Sequence, residues 1–357
     1  MRYVVIMAGG AGTRLWPVSR QGTPKQLLPL FDGRSLLRIA YERLVGLVPD
    51  AQILTCTSAS YAGVVAEQLP EVPTENHLGE PVGRDSLNAV VWSAAELARR
   101  DPDAVVAMVS ADQLIEPVDA FQAALEVAFQ VAEADASALV TLGVVPTAPH
   151  TGFGYLHRGA EVDGFPGAHH LVEFREKPPL ATAREYVASG QYWWNAGMFV
   201  WQARTLLAQV EALLPETAAL VAELVADPQR IGEIYPRLPK NSIDYAIMEP
   251  VSRGLGSAHV VAVPLAIDWR DVGGFASLAQ ALGTDGDGNA LSGLSVNLDS
   301  HGCLVMNTTD RLVTTIGLID TAVVVTEDAV LVAPLSATER VKELVELVRD
   351  QAGPDRT

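Results

Sequence analysis

Four runs of nearly continuous apolar residues, at 3–7, 52–57, 104–109 and 138–144, punctuate the first 145 residues. Strands buried on both faces read this way, because neither side of the pleat meets water. Between them apolar residues recur at helical spacing. Leu36, Leu37, Ile39, Ala40, Leu44 and Leu47 mark a helix over 35–47, and the stretches 86–100 and 118–134 keep the same period. This alternation predicts an α/β fold: a mostly parallel sheet flanked by helices, with ligands at the carboxyl ends of the strands.

Beyond residue 150 the pattern is mixed. Strands are expected at 153–157, 171–175 and 197–201, with helices after Ala181 and Ala203. The turn cluster Gly283-Thr-Asp-Gly-Asp-Gly-Asn289 marks a boundary. After it come short apolar runs at 303–306, 312–316, 322–326 and 330–333, which predict a small β-rich domain. Ser336 and Glu339 have the spacing of a capping box for a final helix through Val348. The expected domains are therefore 1–282, in two parts of about 1–145 and 146–282, and 290–352.

Composition narrows the class. The 357 residues, 49% hydrophobic, suffice for a sizeable core. A formal net charge of −18 argues against a nucleic-acid partner, which needs a basic face, and against an anionic membrane surface. Cys56 and Cys303 lie in apolar surroundings and read as buried free thiols, which fits a reducing cytoplasm. The first residues do not read as a secretory signal, and no apolar stretch has the length of a membrane span. A soluble, cytoplasmic protein is expected.

The candidate chemistry begins where the first apolar run ends. Met7-Ala-Gly-Gly-Ala-Gly-Thr-Arg-Leu-Trp-Pro-Val-Ser-Arg20 is followed by Thr23-Pro-Lys-Gln-Leu-Leu28. Glycines leaving a strand let backbone N–H groups approach phosphate, since no Cβ intervenes. Arg14 and Lys25 supply cations for a charged leaving group. A dinucleotide fingerprint needs a third glycine where Leu15 stands, and the Walker sequence is absent.

These two blocks resemble the sugar-1-phosphate nucleotidyltransferases, which carry Gly-Gly-x-Gly-x-Arg-Leu-Trp-Pro-x-Ser-Arg followed by Pro-Lys-Gln. The likeness is closest to the mannose-1-phosphate guanylyltransferases. It implies a Rossmann-like, GT-A-like nucleotidyltransferase domain that joins GTP to mannose 1-phosphate with Mg²⁺ as cofactor. The resemblance allows a homodimer. It assigns Arg14 and Lys25 to catalysis and Ala8, Gly9, Gly10, Gly12 and Thr13 to the nucleotide. Asp112, at the end of the 104–109 run, would by itself either cap a turn or hold a cation. Asp271 lies in Trp269-Arg-Asp-Val-Gly, matching the family's Trp-x-Asp-Val-Gly, and the resemblance assigns both carboxylates to metal. Asp268 reads as structural.

The same resemblance places sugar-phosphate contacts at Gly154 in Thr151-Gly-Phe-Gly-Tyr, at Glu176 and Lys177 before Pro178, and at Asn195 in Trp194-Asn-Ala-Gly-Met-Phe. The segment Asn241-Ser-Ile-Asp-Tyr-Ala-Ile-Met-Glu249 also matches the family, with no defined role for Asp244. The greatest departure is in the base-binding segment. Relatives read Glu-Pro-x-Gly-Arg-Asn-Thr-Ala-Pro-Ala, and this chain reads Glu80-Pro-Val-Gly-Arg-Asp-Ser-Leu-Asn-Ala89. Glu80 and Gly83 remain as nucleotide contacts. Guanine offers an N1–H and a 2-amino donor, which an acceptor carboxylate can read. Another triphosphate or hexose 1-phosphate stays open as an alternative, as does a non-catalytic sugar-nucleotide-binding subunit. The latter predicts loss of Asp112, Asp271, Arg14 or Lys25, and all four are present. A nicotinamide oxidoreductase predicts an acidic residue closing the second strand, where Thr55-Cys-Thr57 stands.

Overall fold

The computed structural model describes every residue of the chain except Ala11 and Gln21. By contact the chain divides into two units. The first comprises Met1–Gly9, Tyr41–Ala111 and Ile115–Trp269, and the second comprises Gly10–Ala40, Asp112–Leu114 and Arg270–Thr357. Among the described residues no helix is long and apolar enough to cross a membrane.

In chain order the first strands are β1 (Arg2–Met7), β2 (Ile53–Ser58), β3 (His77–Glu80), β4 (Val105–Ser110), β5 (Gln113–Glu116) and β6 (Ala138–Val144). They are followed by β7 (Tyr155–Val162), β8 (Phe165–Arg175), β9 (Tyr192–Gln202), β10 (His259–Leu265) and β11 (Asp268–Asp271). The first unit is built on a nine-stranded sheet of order β3-β2-β1-β4-β9-β6-β10-β8-β7. Pairings β1–β2, β1–β4, β2–β3 and β6–β10 are parallel. Strands β9 and β8 run against the rest, since β9 is antiparallel to β4, β6 and β7, and β8 to β10 and β7. The expected mostly parallel sheet is present, and the two reversed strands come from the mixed region of the sequence. The reason β1, β2, β4 and β6 read as unbroken apolar runs is visible in their burial: all seven residues of β6 are buried, as are Val4, Val5 and Ile6 of β1.

The helices Asp85–Arg100 and Val118–Ala134 occupy their expected positions. The helix expected over 35–47 is shorter, Leu36–Glu42. Past it, Leu44 N–H bonds to Tyr41 O, Val45 to Glu42 O and Leu47 to Leu44 O. These three-residue closures tighten the chain into turns toward Gly46, whose φ is +86°. Strand β9 is longer than its expected core because it borders both β4 and β6 and is buried along almost its whole length.

In the second unit β12 (Ala290–Ser292), β14 (Leu304–Asn307) and β16 (Thr321–Val325) stack in parallel, with Ala290 beside Leu304 and Leu304 beside Ala322. A second parallel ladder joins β13 (Ser295–Leu298) to β15 (Val313–Ile316). β17 (Val330–Pro334) closes the first ladder antiparallel to β16. The chain thus coils, laying each turn on the one before. Leu304, Met306, Ala322, Val324 and Leu331 fill the interior together with Leu15, Trp16, Phe275, Leu278, Val341 and Val345. The capping box at Ser336 and Glu339 is absent. Residues Leu335–Arg340 form a tight 3₁₀ helix, and the α-helix begins only at Val341, running to Ala352 after Arg340. Glu339 turns instead toward Arg14.

Candidate active site

Strand β1 delivers the signature loop. Ala8 N–H bonds to Cys56 O at 2.8 Å, and Thr57 Oγ1 donates to Ala8 O at 3.0 Å, so β2 holds the first residue of the loop. Gly10 and Gly12 then have φ of +92° and +61°, in the region glycine enters most readily. Gly12 has a second reason to be glycine. A Cβ there would stand 2.8 Å from the backbone nitrogen of Lys25 and 3.1 Å from its Cβ. The helical turn Thr13–Leu15 follows, held by Ser19 Oγ donating to Gly12 O at 2.6 Å and by burial of Leu15 and Trp16.

This folding places Lys25 in the middle of a charged group within the second unit. The lysine is buried. Its Nζ donates to Val272 O at 2.8 Å and lies 2.9 Å from Asp112 Oδ2. Val272 N–H bonds to Asp112 O at 3.2 Å, which fixes the Asp271–Val272 peptide alongside Asp112. Asp271 is pushed up to about 6 by burial and then by the Asp112 charge, against the opposing pull of Lys25 and Arg14. Arg14, half-exposed, meets Glu339 at 3.3 Å. A Cβ on Gly273 would stand 3.5 Å from both Arg14 Nη1 and Asp271 Oδ2, so the Val272–Gly273 backbone runs close beneath both side chains.

A carboxylate whose affinity for a proton is raised by burial and by a neighbouring carboxylate is a group wanting positive charge beside it. Hard oxygen donors of this kind suit a divalent cation that takes its other positions from phosphate oxygens and water. Among the described residues no group of three or more His, Cys, Asp or Glu is placed to hold a metal ion. Asp268 is exposed.

In the first unit, two further groups assemble. Glu80 ends β3, is buried, and accepts a hydrogen bond from Tyr235 Oη at 2.5 Å through Oε1. Its Oε2 faces the loop: a Cβ on Gly9 would lie 3.9 Å from it. Burial pushes Glu80 up to about 6, more than the tyrosine hydrogen bond pulls it down. Gly83 has open space at its Cβ position. Asp85 has φ +57°, and Asp and Asn are the side chains that best tolerate that conformation, so Asp in place of the family pattern's Asn suits the backbone seen here.

The second group surrounds Gly154. Its carbonyl accepts from Asn195 N–H at 2.8 Å, and a Cβ on it would fall 2.5 Å from Glu176 Oε2. Glu176 is buried. Its Oε1 pairs with Lys177 Nζ at 2.7 Å, while Oε2 is buried with no hydrogen-bond partner, a state that costs about 1–3 kcal/mol and calls for a donor. Lys177 has φ +44°, an uncommon conformation for lysine, of the kind that persists at functional sites. Burial works against its charge, yet Glu176 and then Asp244 hold its ammonium above the ordinary range.

Asn195 is committed on most sides. Its Oδ1 accepts from Thr141 Oγ1 at 2.9 Å and from Gly197 N–H at 3.1 Å, and its Nδ2 donates to Asp244 Oδ1 at 2.9 Å. Only one amide hydrogen is left to offer a ligand. Asp244 begins a π-helical turn, Asp244–Met248, and is pushed up to about 7 by loss of hydration and by the Glu176 charge. Tyr235, Asp244 and Glu339 thus contact these groups without having been given a site role from the sequence. Asp244 had a signal in its motif, whereas Tyr235 and Glu339 reach the groups through contacts 155 and 325 residues long.

Residues 3–287 match the nucleotidyl transferase family, and residues 293–347 match the MannoseP isomerase/GMP-like beta-helix domain. The chain is 38% identical over 360 residues to mannose-1-phosphate guanylyltransferase of Escherichia coli K12, covering 97% of this chain and 73% of that protein. It is 36% identical over 350 residues to the alginate biosynthesis protein AlgA of Pseudomonas aeruginosa, covering 96% and 71%. A crystal structure from Thermus thermophilus, described as a mannose-1-phosphate geranyltransferase, superposes with a TM-score of 0.87 at 33% identity, covering 98% of this chain and 99% of that one.

Proposed function

Since the chain belongs to the mannose-1-phosphate guanylyltransferase family of nucleotidyl transferases, we propose that it transfers GMP from GTP to mannose 1-phosphate, giving GDP-mannose and pyrophosphate. The observation that carries this reading is the grouping of Lys25, Asp112, Asp271 and Arg14 about the signature loop. Cations and metal-ready carboxylates on a glycine loop serve a triphosphate. A phosphate oxygen of the sugar 1-phosphate attacks the α-phosphorus of GTP, the new P–O bond forms, and the α–β anhydride bond breaks with its electron pair leaving on pyrophosphate. The nucleophile is already ionised, because a second phosphate pKa lies near about 6, so no general base is needed. Catalysis is positioning and charge neutralisation.

Arg14 and Lys25 steady the departing pyrophosphate. Backbone groups of Ala8, Gly9, Gly10, Gly12 and Thr13 receive the phosphates, while Glu80 and the chain at Gly83 read the guanine donors. Gly154 lets a sugar hydroxyl reach backbone, the free oxygen of Glu176 accepts from a hydroxyl, Asn195 offers its remaining amide hydrogen, and Lys177 pairs with the sugar phosphate as a point charge. Asp112 and Asp271 would hold Mg²⁺, which when bound neutralises phosphate charge. Every residue given a role here lies within 1–282.

Base choice gives a test with a definite pH sign. With Glu80 pushed up to about 6, the ionised acceptor that guanine needs prevails above that pH and the protonated donor below it. The ratio of kcat/KM for GTP to that for ATP should therefore fall as pH drops from about 8 to about 5, with its midpoint near 6, since kcat/KM reports free-enzyme ionisations. Titrations common to both triphosphates cancel in the ratio. Glu80→Gln should lower and flatten it. A wild-type ratio that is constant across this range, or ATP matching GTP at neutral pH, would remove Glu80 from base reading.

A further inference from the structure

Residues 235–244 connect the two groups of the first unit. At one end Tyr235, fully buried, donates to Glu80 Oε1 at 2.5 Å, with its ring edge-on to Trp92 at 5.5 Å. At the other end Asp244 accepts from Asn195 Nδ2 at 2.9 Å beside Glu176 and Lys177. Leu238 and Ile243 sink the middle of the segment into the core.

The first turn of the helix Asp85–Arg100 grips this segment along its length. The Arg84 guanidinium donates to Pro236 O, and Asn88 Nδ2 donates to Pro239 O at 2.6 Å and to Arg84 O at 2.9 Å. Leu87 N–H donates to Asn241 O at 3.2 Å, and Ile243 N–H donates to Ser86 Oγ at 3.1 Å. Ser86, Leu87 and Asn88 belong to the stretch in which this chain departs from its family. Asn88 is fully buried and stands where the family pattern it resembles has proline, which has no side-chain hydrogen to give.

We propose that residues 235–244 are a strap that positions the base-reading carboxylate with one end and the sugar group with the other, and that Asn88 is this chain's own pin for it. The strap rests on the roles given above to Glu80, Glu176 and Asn195, and adds how they are held. Tyr235, Asp244 and Asn88 are positioning residues. Loosening the pin should disturb both substrates together, whereas cutting either end should disturb one.

The experiment compares Asn88→Leu, Tyr235→Phe and Asp244→Asn in the full chain. It measures KM for GTP and for mannose 1-phosphate, the GTP-to-ATP ratio of kcat/KM, kcat at saturation, and Tm. Tyr235→Phe should lower the GTP-to-ATP ratio about five- to ten-fold and leave the sugar-phosphate KM within about two-fold. Asp244→Asn should do the reverse, raising the sugar-phosphate KM about ten-fold with the base ratio kept. Asn88→Leu should raise the sugar-phosphate KM and lower the base ratio, each about five-fold, with kcat within about two-fold. If Asn88→Leu lowers Tm but moves neither or only one of these readouts, Asn88 is a buried structural amide and the strap is overturned. Should that variant fail to fold, Ser86→Ala removes the acceptor of Ile243 N–H and must give the same paired shift, in smaller measure, or the proposal fails. Glu80→Gln and Glu176→Gln keep the two readings apart. If they leave base ratio and sugar KM untouched, the site roles themselves are wrong; if they move them and Asn88→Leu does not, only the strap is.

Discussion

Asp112→Asn and Asp271→Asn should each lower kcat by about 10²–10³-fold in a chain that still folds. The exchange is nearly isosteric and removes one charge from a two-carboxylate group, and lost electrostatic stabilisation of a transition state is typically worth about 3–4 kcal/mol. Asp271→Asn also carries a stability signature, that of a carboxylate buried beside a second one. Asp271 is pushed up to about 6 from an ordinary 3.8, first by burial and then by Asp112. A raised carboxyl pKa means that the folded state binds the proton more tightly than the unfolded one. Folding stability therefore falls as pH rises through that interval, and the penalty is complete above about pH 6. In metal-free protein, Asp271→Asn should then gain Tm relative to the parent at about pH 8 and lose most of that gain at about pH 4. Near-normal turnover at saturating Mg²⁺ would contradict the two-carboxylate assignment, and a Tm difference with no pH dependence would contradict the raised carboxyl of Asp271.

The two lysines should separate cleanly. Lys25→Ala should lower kcat about 10²-fold and weaken triphosphate use, leaving the KM for mannose 1-phosphate nearly unchanged. Its Nζ is buried between Val272 O and Asp112, so the variant loses a fixed cation that cannot be replaced by water at the same place. Lys177→Ala should instead raise the sugar-phosphate KM about ten-fold with kcat within a few-fold, because Lys177 is half-exposed and pairs with Glu176. The substitution keeps a non-glycine residue at φ +44°, so the backbone is not relaxed by it. An unchanged sugar-phosphate KM would leave Lys177 a surface charge.

What the sequence revealed and what it hid have different physical causes. Strands β1, β2, β4 and β6 were readable because sheet interiors are dry on both faces, and the buried rows of Val4 to Ile6 and Ala138 to Val144 show it. The signature loop was readable because Gly12 answers two local demands at once, a left-handed φ and the approach of Lys25. The coil of the second unit was not readable as a coil. Its strands are three to five residues long, and the partners Ala290, Leu304 and Ala322 are unevenly spaced, so no period emerges. The helix start expected at Ser336 failed because a capping motif describes local preference, and here a 3₁₀ helix takes those residues while Glu339 turns to Arg14. Tyr235 carries no motif. It meets Glu80 through one hydrogen bond that spans 155 residues of sequence, which only the tertiary structure supplies. The remaining capacity of Asn195 likewise depends on Thr141 and Gly197 having taken its acceptor.

The central claim is that a sugar phosphate displaces pyrophosphate from the α-phosphorus of GTP. It is tested most directly by incubating the protein with Mg²⁺, mannose 1-phosphate and GTP labelled at the α-phosphate, and following the label and the released phosphate species. The account predicts all of the transferred label in GDP-mannose and unlabelled pyrophosphate released in equal amount, with neither formed when mannose 1-phosphate is withheld. Release of inorganic phosphate from the γ-position, or no labelled GDP-mannose at saturating substrates, would contradict it.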